Sequence, residues 1–102
     1  MPSFNVVVPH ELKRDECVQK LRGFSEQFRR DSTVELTEVE ESWDDAGNLQ
    51  FAFKAMGMKF SGLMETKSSE ITVNGKIPFA AVVFRGTLES QISEKIREAI
   101  EA

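Results

Sequence analysis

Residues 49–64 read LQFAFKAMGMKFSGLM and predict a β-hairpin. In the first half, large apolar side chains alternate with Gln50, Ala52 and Lys54, which is the period-two pattern of a strand with one buried face. The alternation resumes from Met58 to Met64, and Gly57 between the halves predicts a tight turn. The hairpin therefore places a row of large apolar side chains on one face of a sheet: Phe51, Phe53, Met58, Phe60 and Met64.

The acidic segment before this hairpin predicts another strand. Apolar and polar residues alternate over residues 34–37, and the alternation returns out of phase over residues 39–43. A β-bulge near Glu38 explains the change of phase, because a bulge inserts one extra residue into a strand. Residues 44–48 read DDAGN and predict the turn that leads into the hairpin.

Residues 4–8, FNVVV, predict a first strand that stops at Pro9, and residues 71–77 predict a fifth strand that ends by Pro78. Residues 11–30 predict one helix with a weak point at Gly23. Its apolar stripe comprises Cys17, Val18, Leu21, Phe24 and Phe28.

The last segment predicts a second amphipathic helix, with Leu88, Ile92, Ile96 and Ala99 on one stripe. Its start is open between two alternatives. Thr87 could cap it. The helix could also begin just after Pro78, with Gly86 inside it and with further apolar residues on the same face: Ala81, Val82 and Phe84.

The predicted order is β-α-β-β-β-β-α in a single domain over residues 1–102. Short turns between the middle strands favour a mostly antiparallel sheet, and one apolar stripe per helix favours two helices on one face of that sheet. This α+β arrangement is similar to the TBP-like and helix-grip folds, in which a curved sheet wraps a long C-terminal helix.

Composition narrows the location and the classes of partner. The chain has one cysteine, no signal-peptide pattern and no apolar run longer than residues 79–84, so we expect a cytoplasmic protein without a transmembrane segment. The net charge is −4, although residues 51–86 carry five basic and two acidic residues. An acidic chain lacks the field that favours nucleic acid, and we expect no nucleic-acid partner.

Catalytic chemistry finds little support in the sequence. Cys17 lies on a predicted apolar stripe, which indicates a buried structural thiol. His10 lies where a strand meets a helix and could cap that helix or sit in solvent, with no partner in the sequence to orient it. Glu40 and Glu41 fall on opposite strand faces. We therefore predict no catalytic residues, no metal site, no cofactor and no enzyme activity.

The row of Phe and Met side chains has two interpretations. It is mainly core, or it lines a groove between the sheet and the C-terminal helix that is suited to an apolar ligand. On the second interpretation the ligand-binding residues are Phe51, Phe53, Met58, Phe60 and Met64.

The C-terminal third contains ITVNGKIPF at residues 71–79 and FRGTLE at residues 84–89, followed by Ile92. With the Pro-Ser start, the Pro9-His10 step and Trp43, these motifs resemble the putative polyhydroxyalkanoic acid system family. The resemblance implies a bacterial, non-enzymatic accessory or binding protein that associates with the surface of polyhydroxyalkanoate granules or with granule-associated proteins. The alternative is a small carrier or enzyme that binds an acyl ligand in the groove. An edge of the first or second strand could also pair across a homodimer.

Overall fold

The computed structural model describes residues 2–31 and 35–101. Its strands are β1 (Ser3–Pro9), β2 (Leu36–Trp43), β3 (Leu49–Ala55), β4 (Met58–Thr66) and β5 (Glu70–Lys76). Its α-helices are α1 (Arg14–Leu21), α2 (Phe24–Asp31) and α3 (Arg85–Glu101), and a 3₁₀ helix over Phe79–Phe84 leads into α3. The strands form one sheet in the order β1-β5-β4-β3-β2, with every neighbouring pair antiparallel. The predicted α+β class, the order of strands and helical regions along the chain, and the mostly antiparallel sheet are therefore confirmed.

The central hairpin forms as its alternation predicts. Phe53 of β3 lies opposite Phe60 of β4, and the turn between the strands holds Met56 and Gly57 at φ values of 53° and 75°. Glycine suits this turn because it adopts positive φ without a steric cost. The β2–β3 register shifts between Thr37 and Glu40, and Glu38 has a φ of 50°. The predicted bulge is confirmed, whereas the prediction for residue 34 lies outside the described residues.

The prediction of one helix over residues 11–30 is wrong. The helical region starts at Arg14, and the chain turns at Arg22 and Gly23 between α1 and α2. Glycine costs about 1 kcal/mol in a helix relative to alanine, so the break falls where helical propensity is lowest. Cys17, Val18 and Leu21 are buried in α1 as predicted, and Phe24 is half-buried in α2. The side chain of Phe28 lies outside the described part of the chain.

The C-terminal helical region begins directly after Pro78, which is the second of the two predicted alternatives. The Ala81 N–H donates to the Pro78 carbonyl over 2.9 Å, and Gly86 lies inside α3. The predicted apolar face is wrong in part, because only Ala81 is buried there. Val82 is 37% exposed and Phe84 is 53% exposed.

The core lies between one face of the sheet and the helices. Alternate residues of β1 point into it, so that Phe4, Val6 and Val8 are buried while the intervening residues are exposed. The helix α3 packs against β1 and α1, and α2 packs on α1 and α3. The helix stripe predicted in α3 contributes the buried residues Ile92, Ile96 and Ala99.

Candidate functional site

A small apolar pocket lies between the inner sheet face and the two helices α2 and α3. Its volume is about 50 Å³. Phe24 of α2 and Ile92 of α3 cover it from the helical side. The sheet contributes the remaining described lining residues: Leu36, Val39, Glu41, Leu49, Phe51, Ala52, Phe53, Met64 and Val73.

The structure brings three of the five predicted groove residues to this pocket, namely Phe51, Phe53 and Met64. Phe60 is buried beside it and stacks on Phe53, with ring centroids 5.2 Å apart and planes at 18°. Met58 is half-buried at the start of β4 and, like Phe60, is not part of the lining. The three Phe rings of the predicted row are therefore stacked on one another, and two of them line the pocket together with Met64.

Two facing glycines explain how the aromatic rings fit against the sheet. Gly62 of β4 lies opposite Gly75 of β5. A Cβ atom at Gly62 would lie 2.7 Å from Cζ of Phe51, and one at Gly75 would lie 2.6 Å from Cζ of Phe4. Each ring thus occupies space that a side chain would otherwise take. The space over these two glycines is therefore filled by the protein's own aromatic rings.

The size and polarity of the pocket limit what it can hold. Pockets for drug-sized ligands span roughly 300–1,000 Å³, so about 50 Å³ suits only a small group or the end of a chain. Glu41 is the sole ionisable residue among the described residues that line it. Glu41 is itself exposed, so the interior of the pocket is apolar, and a charged group would lose its hydration there.

His10 neither caps a helix nor sits in solvent, so both predicted alternatives are wrong. Its side chain is buried, and its Nε2 lies 2.8 Å from the Lys67 carbonyl oxygen. The Leu12 N–H donates to His10 Nδ1 over 3.2 Å. These contacts require Nε2 to carry the proton that is donated to Lys67. The imidazole therefore ties the β1–α1 connection to the β4–β5 turn.

Cys17 is fully buried in the core, as its position on the stripe predicts. Burial raises the pKa of the Cys17 thiol, because the thiolate loses its hydration in an apolar environment. A thiol with a raised pKa is a poor nucleophile. The environment of Cys17 therefore suits a packing role.

Among the described residues, the most exposed apolar feature lies between β5 and α3, and it includes Val82 and Phe84, which one of the two predicted helix starts places on an apolar face. The apolar segment, residues 79–84, reads FAAVVF and forms the whole of the 3₁₀ helix. Phe79 is 79% exposed and Val83 is 81% exposed. The available signal was the lack of any polar residue over six positions, since a helix that buries one face normally alternates apolar with polar residues.

Within residues 2–31 and 35–101, no three His, Cys, Asp or Glu side chains gather closely enough to hold a metal ion. Over the same described ranges, every helix is too short or too polar to cross a membrane.

Similarity to solved structures shows the class of fold to which the chain belongs. The chain is similar to the crystal structure of DynU16, a putative protein in the dynemicin biosynthetic locus, with a TM-score of 0.67 and 11% identity. That match covers 98% of this chain and 47% of DynU16, so the chain spans about half the length of that protein. It is also similar to TTHA0849 from Thermus thermophilus, with a TM-score of 0.57 and 13% identity over 98% of this chain and 94% of that one. These likenesses establish a helix-grip type of α+β fold.

The family follows from the sequence match. The model of the family described as "Putative polyhydroxyalkanoic acid system protein" matches residues 4–100, and the chain belongs to this family. Comparison with curated proteins finds no significant match.

Proposed function

We propose that this protein is a non-enzymatic accessory or binding protein of the polyhydroxyalkanoate system, located in the cytoplasm and associated with polymer granules or their enzymes. The observation that carries the proposal is the family match over residues 4–100. The exposed apolar segment supports it, because an exposed apolar surface marks a contact site and suits attachment to a water-insoluble particle.

Cell fractionation tests this proposal directly. Cells that accumulate polyester would be lysed gently, and granules would be separated on a density gradient before immunoblotting for the untagged full chain. We expect the protein to co-sediment with granules and to capture granule proteins when it is immunoprecipitated. Cells grown without polymer accumulation serve as the control. Recovery only in the soluble fraction, with no granule protein captured, would contradict the proposal.

A second candidate is a small carrier or enzyme that binds an acyl ligand, and the apolar pocket favours it. Given the volume of about 50 Å³ and the apolar lining, in which a charged carboxylate would lose its hydration, the ligand would be a short neutral hydroxyacyl ester or amide rather than a free acid. Phe51, Phe53 and Met64 would contact its carbon chain.

Thermal denaturation with short hydroxyacyl methyl esters tests the second candidate, with the corresponding free acids as matched controls. A ligand at 100 times its dissociation constant should stabilise the fold by about 2.7 kcal/mol. Equal absence of a shift with esters and acids would count against the pocket as a ligand site.

The homodimer stays a prediction, and both sheet edges carry features that bear on it. The edge strand β2 is bulged and acidic. At the other edge, the carboxylate of Glu89 accepts a hydrogen bond from the Asn5 backbone N–H over 2.7 Å. Acidic side chains and capped backbone groups both discourage edge-to-edge pairing. Light scattering would show whether a dimer forms.

A further inference from the structure

The apolar segment has an unusual distribution of exposed side chains. A 3₁₀ helix has three residues per turn, so residues three apart share a ridge and six residues make three ridges of two. Phe79 and Val82 form one ridge, Ala80 and Val83 form the second, and Ala81 and Phe84 form the third. Only Ala81 is buried, so apolar side chains are exposed on all three ridges.

Exposure on every ridge narrows the kind of partner. A groove or flat surface on a folded protein covers one side of a short helix, whereas a fluid apolar phase can contact every side that the domain leaves exposed. Amphipathic segments at lipid–water interfaces place aromatic and aliphatic side chains below the headgroups and basic side chains among them. The apolar segment is therefore shaped for partial insertion into such an interface rather than for docking in a protein groove.

Basic residues flank the segment at both ends. Lys76 ends β5 and Arg85 begins α3, and residues 74–88 contain no acidic residue. The β3–β4 hairpin extends toward the same end of the sheet, because Lys76 pairs with Ser61 and the hairpin continues back to its turn. That turn carries Met56, which is 65% exposed, and the exposed Lys59 follows it.

Basic side chains and exposed apolar side chains thus occur together at one end of the sheet, in a chain whose net charge is −4, and the acidic Glu38 at that end is paired with Lys54 over 2.9 Å. Long basic side chains reach anionic headgroups while their stems remain in apolar surroundings. We propose that this end of the protein, with the apolar segment as the inserting element and Lys76 and Arg85 as flanking anchors, binds an anionic lipid–water interface. The inference goes beyond the proposed function, since it needs no polymer and no granule enzyme.

Vesicle flotation with the full chain tests the proposal. The protein would be mixed with vesicles of phosphatidylcholine alone or of phosphatidylcholine with phosphatidylglycerol, and the bound fraction would be measured against lipid concentration. We expect binding to the vesicles that contain phosphatidylglycerol, weakening as salt is raised, and little binding to neutral vesicles. Each basic residue contributes about fivefold, so Lys76→Gln with Arg85→Gln should weaken binding by about 25-fold.

Apolar variants separate insertion from simple charge attraction. Phe79→Ser and Phe84→Ser should each weaken binding by about tenfold, since each removes a phenyl ring from the inserted set. Val83→Ser should weaken binding, whereas Val7→Ser, which removes an exposed valine on β1, should not. Lys67→Gln, at the opposite end of the sheet, is the matched control for the charge variants. Circular dichroism would verify that every variant is folded.

Three results would overturn the proposal. The first is failure of the unmodified protein to bind anionic vesicles. The second is equal binding by the Phe79→Ser and Val7→Ser variants. The third is light scattering in which the same substitutions dissociate a dimer, which would assign the segment to a second copy of the chain. Amorphous polyester particles form a further arm: binding to them but not to anionic lipid would reject the lipid interface while leaving granule association standing.

Discussion

Two buried threonines allow one substitution to be tested in two opposite environments. Thr66 at the end of β4 is 3% exposed, and its hydroxyl donates to the Gly47 carbonyl over 3.3 Å. Thr72 in β5 is 7% exposed, and its hydroxyl is buried with no hydrogen-bond partner among the described residues. Thr→Val replaces the hydroxyl by a methyl group of similar size and keeps the branched Cβ that strands favour. The two variants should therefore change stability in opposite directions.

The magnitudes follow from what each hydroxyl does. A buried hydroxyl without a partner costs about 1–3 kcal/mol of desolvation, so Thr72→Val should stabilise the fold by about 1–2 kcal/mol. Thr66→Val removes a hydrogen bond and leaves the Gly47 carbonyl without that donor, which should destabilise the fold by about 1 kcal/mol. For a domain of this size, each kcal/mol corresponds to a shift in Tm of about 4–8 °C.

Urea denaturation followed by the fluorescence of Trp43 measures both effects. Trp43 is the single tryptophan, is half-buried, and has the Arg22 guanidinium 5.1 Å from its ring centroid, so its emission should report unfolding. The midpoint should rise for Thr72→Val and fall for Thr66→Val at an unchanged slope m. Thr37→Val, on an exposed position of β2, should leave it nearly unchanged. A Thr72→Val midpoint at or below that of the unmodified protein would refute the reasoning, because it would mean that the hydroxyl is satisfied.

Three other predictions concern single positions. The Asn48 N–H donates to the Asp44 carboxylate over 2.8 Å and lowers the pKa of Asp44 below its ordinary value of 3.8. The ionised Asp44 therefore contributes to the free energy of unfolding above pH 3.8, and this contribution is lost as pH falls through the lowered pKa. In an acid titration, the free energy of unfolding of Asp44→Ala should fall less over this pH range than that of the unmodified protein. Cys17 should react with a thiol reagent only after urea unfolds the chain, because the thiol is buried and its pKa is raised; rapid labelling of the native protein would argue against this. Gly62→Ala should destabilise the fold by about 1–3 kcal/mol, since its Cβ would meet Phe51 and the Asn74 carbonyl, while Gly23→Ala, with open space around it, should be nearly neutral in thermal denaturation.

The strands were predictable because one buried face imposes a local period. The alternation of residues 49–64 places the hairpin, and its change of phase places the bulge at Glu38, without any knowledge of distant contacts. The break at Arg22 and Gly23 was not predictable in the same way. Apolar residues recur at helical spacing across it, so periodicity alone gives one continuous helix.

The surroundings of His10 depend on residues far away in the chain. Its partner Lys67 is 57 residues distant, and the contact forms only because the antiparallel β1–β5 pairing brings the two turns together. The residues next to His10 in the sequence therefore do not predict that contact. The exposure of the apolar segment has a different cause: a continuous apolar run has no period, so its pattern cannot say which side faces water.

The pocket and the apolar segment differ in how much apolar surface they leave for a partner. At the pocket, the ring of Phe51 already covers Gly62, and Phe53 stacks on Phe60. These aromatic side chains bury one another, and the remaining volume is about 50 Å³. In the apolar segment, Phe79 and Val83 remain about four-fifths exposed. Binding energy comes from apolar area removed from water on association, and area already buried in the free protein contributes nothing further. The apolar area that is still available for binding therefore lies at the surface of the domain, which favours attachment to an extended apolar phase over enclosure of a small ligand.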